Sequence, residues 1–426
     1  MSGMSHGMSV GVSGVVVPVC WLCWLMSCSV GGVGGVIGVS LPKDMMARTT
    51  YYGGVLKFRT QADPTTPGEQ GRMPQIGFGT GGIFDSRVIL NALQVGYRHI
   101  DTALLYGNQK QIGEAIRNFS RDDGSEYGGV ARVSRKDLFV TTKLGFYPTQ
   151  MALPLPPVIR DFVNNTSVKG YSRENAKGFE KIGIEQSLSE SGLSYFDLCL
   201  VHTPVTSSLT FWTSEYPHEF TNWKHDEPIK PISWIQWAVS HLARVLSNHL
   251  TFPDNGYRSR KRAWKNLEAL QKEGKCRYIG VSNYEVPLLQ ELMEYAEVLP
   301  AVNQLEIHPL RQMKEVRKFC EDNGIAVVGY GTGVVINHPV IKELGNKYNK
   351  SPAQIVLRWA IQSGIGVIPK TTRESRMRSN LESFKFKLDV PDMKILSDLD
   401  EGRAFYWETS NLHAREKQPQ PQNDEL

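Results

Sequence analysis

The sequence predicts an α/β protein built as a closed (β/α)₈ TIM barrel, and three observations support this fold class. Short apolar runs alternate with helical patterns from residue 75 onward. Two of these runs, 139–140 and 198–201, are apolar on both faces, as in parallel strands covered by helices. No GxGxxG motif follows the first strand, which disfavours a doubly wound dinucleotide-binding sheet.

Eight runs are candidate barrel strands. They span residues 75–78, 98–101, 138–143, 196–202, 278–282, 301–306, 326–329 and 366–369. Helical patterns lie between them, among them 111–118, 181–191, 262–273, 286–295, 314–323 and 351–363. Ser351 and Pro352 predict the start of the last helix, because a hydroxyl caps the first turn and proline suits the first helical position. Repeated strand–helix units favour the barrel.

Two long connections interrupt this alternation, at 146–178 after the third strand and at 204–260 after the fourth. Connections this long are functional lids or disordered segments. In a barrel both would emerge at the C-terminal face, where active sites form. The second contains four tryptophans, so we expect it to pack over the barrel mouth, with packing on the barrel's side as the alternative. The tryptophans are Trp212, Trp223, Trp234 and Trp237.

The ends of the chain differ in composition from the barrel, predicted to span 53–410. Residues 1–52 form an apolar leader with no charged residue before Lys43. We expect it to be disordered, signal-like or membrane-inserted, or untranslated if synthesis starts at Met45 or Met46. Residues 411–426 form a polar tail that ends in Asn-Asp-Glu-Leu, which resembles an ER-retention signal. We expect a cytoplasmic protein, with the ER lumen as the alternative.

Composition and charge exclude several classes of partner. The chain has 426 residues, 41% of them hydrophobic, and a formal net charge of +5, which is typical of a globular protein. The basic cluster at 258–262 lacks regular aromatic interleaving, so it predicts a solvated loop and no nucleic-acid site. We expect no membrane contact by the barrel and a monomer.

The six cysteines predict neither a metal site nor a disulfide framework. Cys20 and Cys23 form a CxxC pair in an apolar stretch without a second ligand pair, which disfavours zinc. The widely spaced Cys199, Cys276 and Cys320 lie inside predicted strands or helices, and we expect them to be reduced core thiols.

Four polar residues lie at or after the ends of predicted strands. Asp101, Lys143 and His202 belong to three different strands, and Tyr106 follows the second strand. A barrel would bring all four to one pocket at its C-terminal face. A phenol is a poor acid at neutral pH unless a nearby cation stabilises its phenolate. Lys143 could do so, held by Asp101, while His202 orients a carbonyl oxygen. Reduction would then need a cofactor, because no side chain donates hydride.

Several ordered motifs resemble those of the aldo-keto reductases. They are GYRHIDTA at 96–103 with YGN at 106–108, LFVTTK at 138–143, the strand 197–202, GVSN at 280–283, NQ at 303–304 and IPKT at 368–371. Gln109 replaces the glutamate usual after YGN. The resemblance covers 53–405 apart from the two insertions.

The resemblance implies a barrel that binds NADPH in extended form and reduces a small-molecule carbonyl substrate, or oxidises an alcohol in reverse. Tyr106 would be the general acid, assisted by Lys143 and Asp101, with His202 orienting the substrate. The implied cofactor contacts are Ser282, Asn283 and Gln304 on the carboxamide, Tyr330 on the nicotinamide ring, Lys370, Thr371 and Arg376 on the 2′-phosphate, and Asn380 on the adenine. Lysine and arginine suit a phosphate dianion, which favours NADPH over NADH.

The chain departs from the family at positions that shape the substrate pocket. Gly81 and Gly82 stand where an aromatic residue is common, Thr203 where tryptophan is common, and Gly331 where serine is common. These departures leave the substrate open. The alternative function is an NADPH-binding regulatory or redox-sensing subunit of the same fold with little turnover.

Overall fold

A computed structural model describes residues 54–59, 71–120, 126–127, 130–131, 133–144, 179–204 and 256–406. Their strands are β1 (Val55–Phe58), β2 (Gly71–Pro74), β3 (Phe78–Gly79), β4 (His99–Asp101), β5 (Glu126–Tyr127), β6 (Val130–Ala131), β7 (Phe139–Lys143), β8 (Phe196–Val201), β9 (Cys276–Ser282), β10 (Val302–Glu306), β11 (Ala326–Tyr330) and β12 (Gly366–Val367). Strands β3, β4 and β7 to β12 are hydrogen-bonded in chain order as one parallel sheet of eight.

The helices of the described chain lie between successive strands of the sheet or after its last strand. They are α1 (Ser86–Val95), α2 (Gln109–Phe119), α3 (Phe179–Ser191), α4 (Gly256–Lys272), α5 (Val286–Tyr295), α6 (Lys314–Asp322), α7 (Pro339–Tyr348), α8 (Pro352–Gln362), α9 (Glu374–Leu381) and α10 (Val390–Ser397). Ser351 Oγ accepts the Gln354 N–H at the start of α8, and Pro352 occupies its first turn, as the sequence predicts.

Backbone hydrogen bonds between the first and last strands close the sheet into a barrel. Ile76 forms a parallel bridge with Val367. The Val367 N–H donates to Gln75 O over 2.8 Å, and the Gly77 N–H donates to Val367 O over 2.7 Å. All eight strand ends therefore point to one mouth, where the strand-end polar residues meet. The predicted (β/α)₈ fold is confirmed.

The hydrophobic core has two layers, which explains why the strands are apolar on both faces. One layer lies between the sheet and the helices and includes Trp264 and Trp359. The other fills the barrel interior and includes Leu200 and Val328. Strands buried on both sides cannot alternate between apolar and polar residues, so continuous apolar runs mark them.

The antiparallel hairpin of β1 and β2 was not predicted as strands. Leu56, Phe58 and Met73 of the hairpin are buried with the barrel-interior side chains. The Phe58 ring packs edge-on against Tyr278 near the start of β9, 4.9 Å between centroids. The hairpin therefore covers the N-terminal end of the barrel, opposite the mouth.

Most of the two predicted insertions, together with the leader and the tail, lies outside the described residues. The predicted end of the second insertion at residue 260 is wrong, because α4 already begins at Gly256. The basic cluster expected in a loop lies on this helix. Arg260 is 2% exposed and forms an ion pair with Glu291 of α5, and this burial extends the helix. No helix within the described part of the chain is long and apolar enough to cross a membrane.

Two of the three barrel cysteines form a disulfide, which corrects the expectation of reduced thiols. Cys199 of β8 and Cys276 of β9 are bonded, with 5.8 Å between their Cα atoms. The two residues are 77 positions apart, but their strands are neighbours in the sheet. Cys320 is free and buried, and burial raises the pKa of its thiol to about 11.

Candidate active site

An ion pair between Asp101 and Lys143 lies at the barrel mouth. Asp101 ends β4 and Lys143 ends the adjacent strand β7. Lys143 Nζ donates to Asp101 Oδ1 over 2.5 Å and to Thr102 O over 3.1 Å, and both charged side chains are 1% exposed. Removing either partner would leave a buried charge uncompensated, so each requires the other.

Tyr106 is held next to this pair by a short 3₁₀ helix, Leu104–Tyr106, which ends at the left-handed residue Gly107. Lys143 Nζ lies 3.5 Å from the Tyr106 hydroxyl oxygen and 5.1 Å from the ring centroid. The Tyr106 side chain is partly buried among the described residues. The lysine thus contacts the carboxylate on one side and the phenol on the other.

His202 completes the group one residue after β8. Its ring is 9% exposed and packs edge-on against the Tyr106 ring, 6.0 Å between centroids. Burial, and then the charge of Lys143, lower the pKa of His202 well below its ordinary value of 6.5. The imidazole is therefore neutral at neutral pH and can donate one N–H.

The protonation states of the other groups follow from burial and from their neighbours. Burial raises the pKa of Tyr106, while the charge and hydrogen bond of Lys143 act to lower it. Burial acts to lower the pKa of Lys143, but Asp101 and Tyr106 raise it more, so the net shift is upward. At neutral pH the phenol therefore carries its proton and the lysine carries its charge.

Four of the predicted cofactor-binding residues form one hydrogen-bonded group beside Asp101. Gln304 of β10 donates from Nε2 to Asp101 Oδ2 over 2.8 Å. Ser282 at the end of β9 donates to the Gln304 backbone oxygen, also over 2.8 Å. Asn283, left-handed with a φ of 64°, donates to His202 O and accepts from the Tyr330 hydroxyl over 2.7 Å.

The remaining predicted cofactor residues follow β12. Lys370 and Arg376 are exposed, and neither forms an ion pair with another described residue. Arg378, on the same helix α9, is paired with Glu374 over 2.7 Å. Protein atoms around the Lys370 stem lower its pKa although the side chain reaches solvent. Thr371 accepts the Arg373 N–H, and Asn380 is buried beside the Tyr97 hydroxyl.

Glu306, a residue not predicted from the sequence, holds one segment at the barrel mouth. Glu306 ends β10 and is 3% exposed, and its carboxylate accepts the backbone N–H groups of Phe405 and Tyr406 over 2.6 and 3.0 Å. It therefore anchors the segment that packs the Tyr406 ring near Tyr330, 5.9 Å between centroids. A carboxylate at the end of a predicted strand was the available signal.

Comparisons with known proteins identify relatives of this chain. The chain is 32% identical over 336 residues to the oxidoreductase YtbE of Bacillus subtilis, covering 77% of this chain and 90% of that protein. It is 31% identical over 348 residues to an NADPH-dependent D-xylose reductase of Meyerozyma guilliermondii, covering 77% and 91%. A crystal structure of an aldo/keto reductase from Brucella melitensis superposes with a TM-score of 0.54 at 26% identity, covering 82% and 98%.

The barrel and these relatives define an oxidoreductase. Its family is shown by the family model for aldo/keto reductases, which matches residues 75–332 and 338–401. The chain belongs to the aldo/keto reductase family, as the motifs at its strand ends indicate. No group of three or more potential metal-ligating His, Cys, Asp or Glu side chains occurs among the residues described.

Proposed function

We propose that this protein reduces an aldehyde or ketone to an alcohol with NADPH, and that Tyr106 is the general acid. The observation that carries the proposal is the contact of one buried ammonium, Lys143 Nζ, with both Asp101 and Tyr106. Burial keeps Tyr106 protonated and therefore able to donate. As its proton moves to the carbonyl oxygen, the adjacent ammonium stabilises the developing phenolate.

His202 is proposed to orient the substrate. Its ring lies edge-on to Tyr106 and is neutral, so an N–H can hydrogen-bond the carbonyl oxygen while the phenol transfers its proton. A protonated His202 would be a second cation beside Tyr106 and would compete with Lys143. The lowered pKa of His202 keeps its ring uncharged. The histidine thus directs the oxygen without supplying the proton.

Hydride for the carbonyl carbon would come from a bound nicotinamide cofactor. Gln304 donates a hydrogen bond from Nε2 to Asp101. Its Oε1 has no donor among the described residues and can therefore accept a hydrogen bond from a carboxamide N–H. Ser282 and Asn283 lie beside it, and the partly exposed Tyr330 ring offers a stacking surface. These polar groups fit a nicotinamide.

NADPH is proposed over NADH because of the residues after β12. Lys370 and Arg376 have no carboxylate partner among the described residues, whereas the neighbouring Arg378 has one. Two free cations suit the extra 2′-phosphate, with Thr371 adding a hydroxyl and Asn380 lying next to the adenine. The D-xylose reductase relative, named as NADPH-dependent, supports the same preference.

The proposal is tested by following NADPH oxidation with an aromatic aldehyde in the wild type and in Tyr106→Phe. Loss of the acid should lower kcat by about 10²- to 10⁴-fold, while the Kd for NADPH stays unchanged. Tyr195→Phe is the control, since its ring packs under Arg135 at the opposite end of the barrel. Equal rates in the wild type and Tyr106→Phe would refute the acid. NADPH binding without turnover in either protein would favour a regulatory subunit.

A further inference from the structure

Tyr97 is a buried tyrosine whose ring and hydroxyl contact different parts of the protein. It follows Gly96 at the end of α1, and its side chain is 1% exposed. The ring packs edge-on against Phe78 of β3, 5.4 Å between centroids. A phenylalanine would make the same ring contact, so apolar packing does not explain the hydroxyl. A buried hydroxyl needs hydrogen-bond partners, because leaving it without them costs free energy.

The partners of the Tyr97 hydroxyl lie on α9. The hydroxyl donates to the backbone oxygen of Met377, 280 positions later in the chain, over 3.3 Å. The Asn380 side chain is hydrogen-bonded to the same hydroxyl. Met377 is fully buried and Asn380 is 7% exposed. One phenol oxygen therefore contacts two residues of the helix that also carries Arg376.

These two hydrogen bonds define the orientation of the Asn380 amide. Burial raises the pKa of Tyr97, so the hydroxyl keeps its proton at neutral pH. That single proton is donated to Met377, and the phenol oxygen can therefore only accept from Asn380. The donor must be Nδ2, since Oδ1 has no hydrogen to give. Asn380 Oδ1 is then turned away from Tyr97, and one hydrogen of Nδ2 is left over.

The Asn380 amide thus keeps an acceptor and a donor for a ligand. Its Oδ1 has no partner among the described residues, yet it is not one of their fully buried polar atoms that lack a partner. The helix that presents the amide is also tied to α8, because Gln354 Nε2 donates to Ser379 O over 3.0 Å. Hydrogen bonds to two separate elements hold α9, and the amide with it, in one place.

We propose that Tyr97 is a positioning residue for recognition of the cofactor base and acts through Asn380. An acceptor beside a donor matches adenine, which offers its N6 amino group as donor and N7 as acceptor. A base with a carbonyl oxygen in place of that amino group would set two acceptors against each other. Tyr97 thereby makes the site selective for adenine. This inference rests on the proposed binding of NADPH, in which Asn380 lies next to the adenine.

The test removes the hydroxyl in Tyr97→Phe and measures the Kd of two cofactors by fluorescence titration of the full chain. They are NADPH and its hypoxanthine analogue, in which a carbonyl oxygen replaces the N6 amino group. The wild type should bind NADPH about tenfold or more tightly than the analogue, as expected for a paired contact to adenine. In Tyr97→Phe this ratio should fall to about threefold or less, because the Asn380 amide is then free to rotate about its soft terminal torsion.

Tyr295→Phe is the matched control. Tyr295 is also buried, but its hydroxyl has no hydrogen-bond partner among the described residues, so the ratio of the two Kd values should stay at the wild-type value. Asn380→Ala should lower the ratio as Tyr97→Phe does, and the double variant should lower it no further, because the two residues act as one unit. A merely structural role of Tyr97 would weaken both cofactors equally. Such an equal loss, or an unchanged ratio in Tyr97→Phe or Asn380→Ala, overturns the proposal.

Binding and turnover together separate this inference from the proposed function. If the wild type prefers NADPH to the hypoxanthine analogue and loses that preference in Tyr97→Phe, but reduces no aldehyde, the inference stands and the proposed reduction fails. If the wild type reduces the aldehyde but binds both cofactors equally, the reduction stands and the inference about Tyr97 is wrong. If the wild type binds neither cofactor, both are wrong.

Discussion

Gln304 Nε2 donates to Asp101 Oδ2 over 2.8 Å, while the other oxygen of the same carboxylate accepts from Lys143. One buried carboxylate therefore joins the proposed carboxamide-binding residue to the proposed acid–base group. A change at Asp101 should disturb both, whereas a change at Gln304 leaves the ion pair in place.

We expect Asp101→Asn to lower kcat by at least about tenfold and to destabilise the fold by about 3–5 kcal/mol, as for a broken buried pair. Asparagine offers one acceptor oxygen, so either Lys143 or Gln304 loses its partner.

The stability contributed by the Lys143–Asp101 pair should depend on pH. Because the pKa of Lys143 is raised, the pair stabilises the fold fully below pH 10.5, and this contribution is lost as pH rises through the folded-state pKa. Urea unfolding at pH 7 and above pH 10.5 measures it.

Gln304→Met is the matched control for this change. It should weaken cofactor binding yet keep the lysine–carboxylate pair and its pH-dependent stability. A Gln304→Met protein as unstable as Asp101→Asn would contradict the separation of the two roles.

Cofactor preference should depend on the two cations after β12. Lys370→Met combined with Arg376→Met is expected to raise the Kd for NADPH about hundredfold or more, since two charge-assisted hydrogen bonds contribute about 1.5–3 kcal/mol each. The Kd for NADH should change little, and fluorescence titration measures both. Arg378→Met is the control, because Glu374 already pairs with that side chain. Equal losses for NADPH and NADH would exclude the phosphate assignment.

Acid should destabilise the protein through His99 in the barrel interior. Burial lowers the pKa of His99 to about 4, so below pH 6.5 the unfolded chain binds a proton that the folded protein does not. Stability is present above pH 6.5 and is lost as pH falls toward 4. His99→Gln should remove about 2 kcal/mol of the loss between pH 7 and pH 5, measured by urea unfolding. Burial also lowers the pKa of His202, so His202 destabilises the fold in acid in the same direction. His99→Gln should therefore keep the part of the pH dependence that comes from His202. An unchanged pH dependence in the variant would be incompatible with this role.

The disulfide should stabilise the barrel. Changing both Cys199 and Cys276 to alanine is expected to cost about 2–4 kcal/mol, the range for closing a long loop. Thermal unfolding with and without a reductant, and mass spectrometry of the non-reduced protein, measure it. Cys320→Ala is the control: it keeps the disulfide, so its melting temperature should still fall with reductant, whereas that of the double variant should not respond. Because cytosolic reductants keep thiols reduced, the bond is expected in oxidising conditions. Free thiols at both Cys199 and Cys276 in the oxidised wild type would refute the pairing.

Much of the barrel could be predicted because its strands are buried on both faces. The run containing Leu198 and Leu200 marks β8 without any tertiary information, and Ser351 marks the start of α8. The hairpin of β1 and β2 escaped prediction because each strand has four residues and the two are separated along the chain. Its buried side chains are defined only by the barrel end that they cover.

The sequence by itself determined the barrel and the identity of the polar residues at its strand ends, because apolar periodicity and strand-end position are local properties. Only the tertiary structure decided which of them touch. The register of neighbouring parallel strands brings Lys143 to Asp101 and Cys199 to Cys276, and the closure of the barrel brings Gln304 across to the same carboxylate. Contacts between residues far apart in the chain depend on which strands pair and on how the sheet closes, and neither is a local property of the sequence.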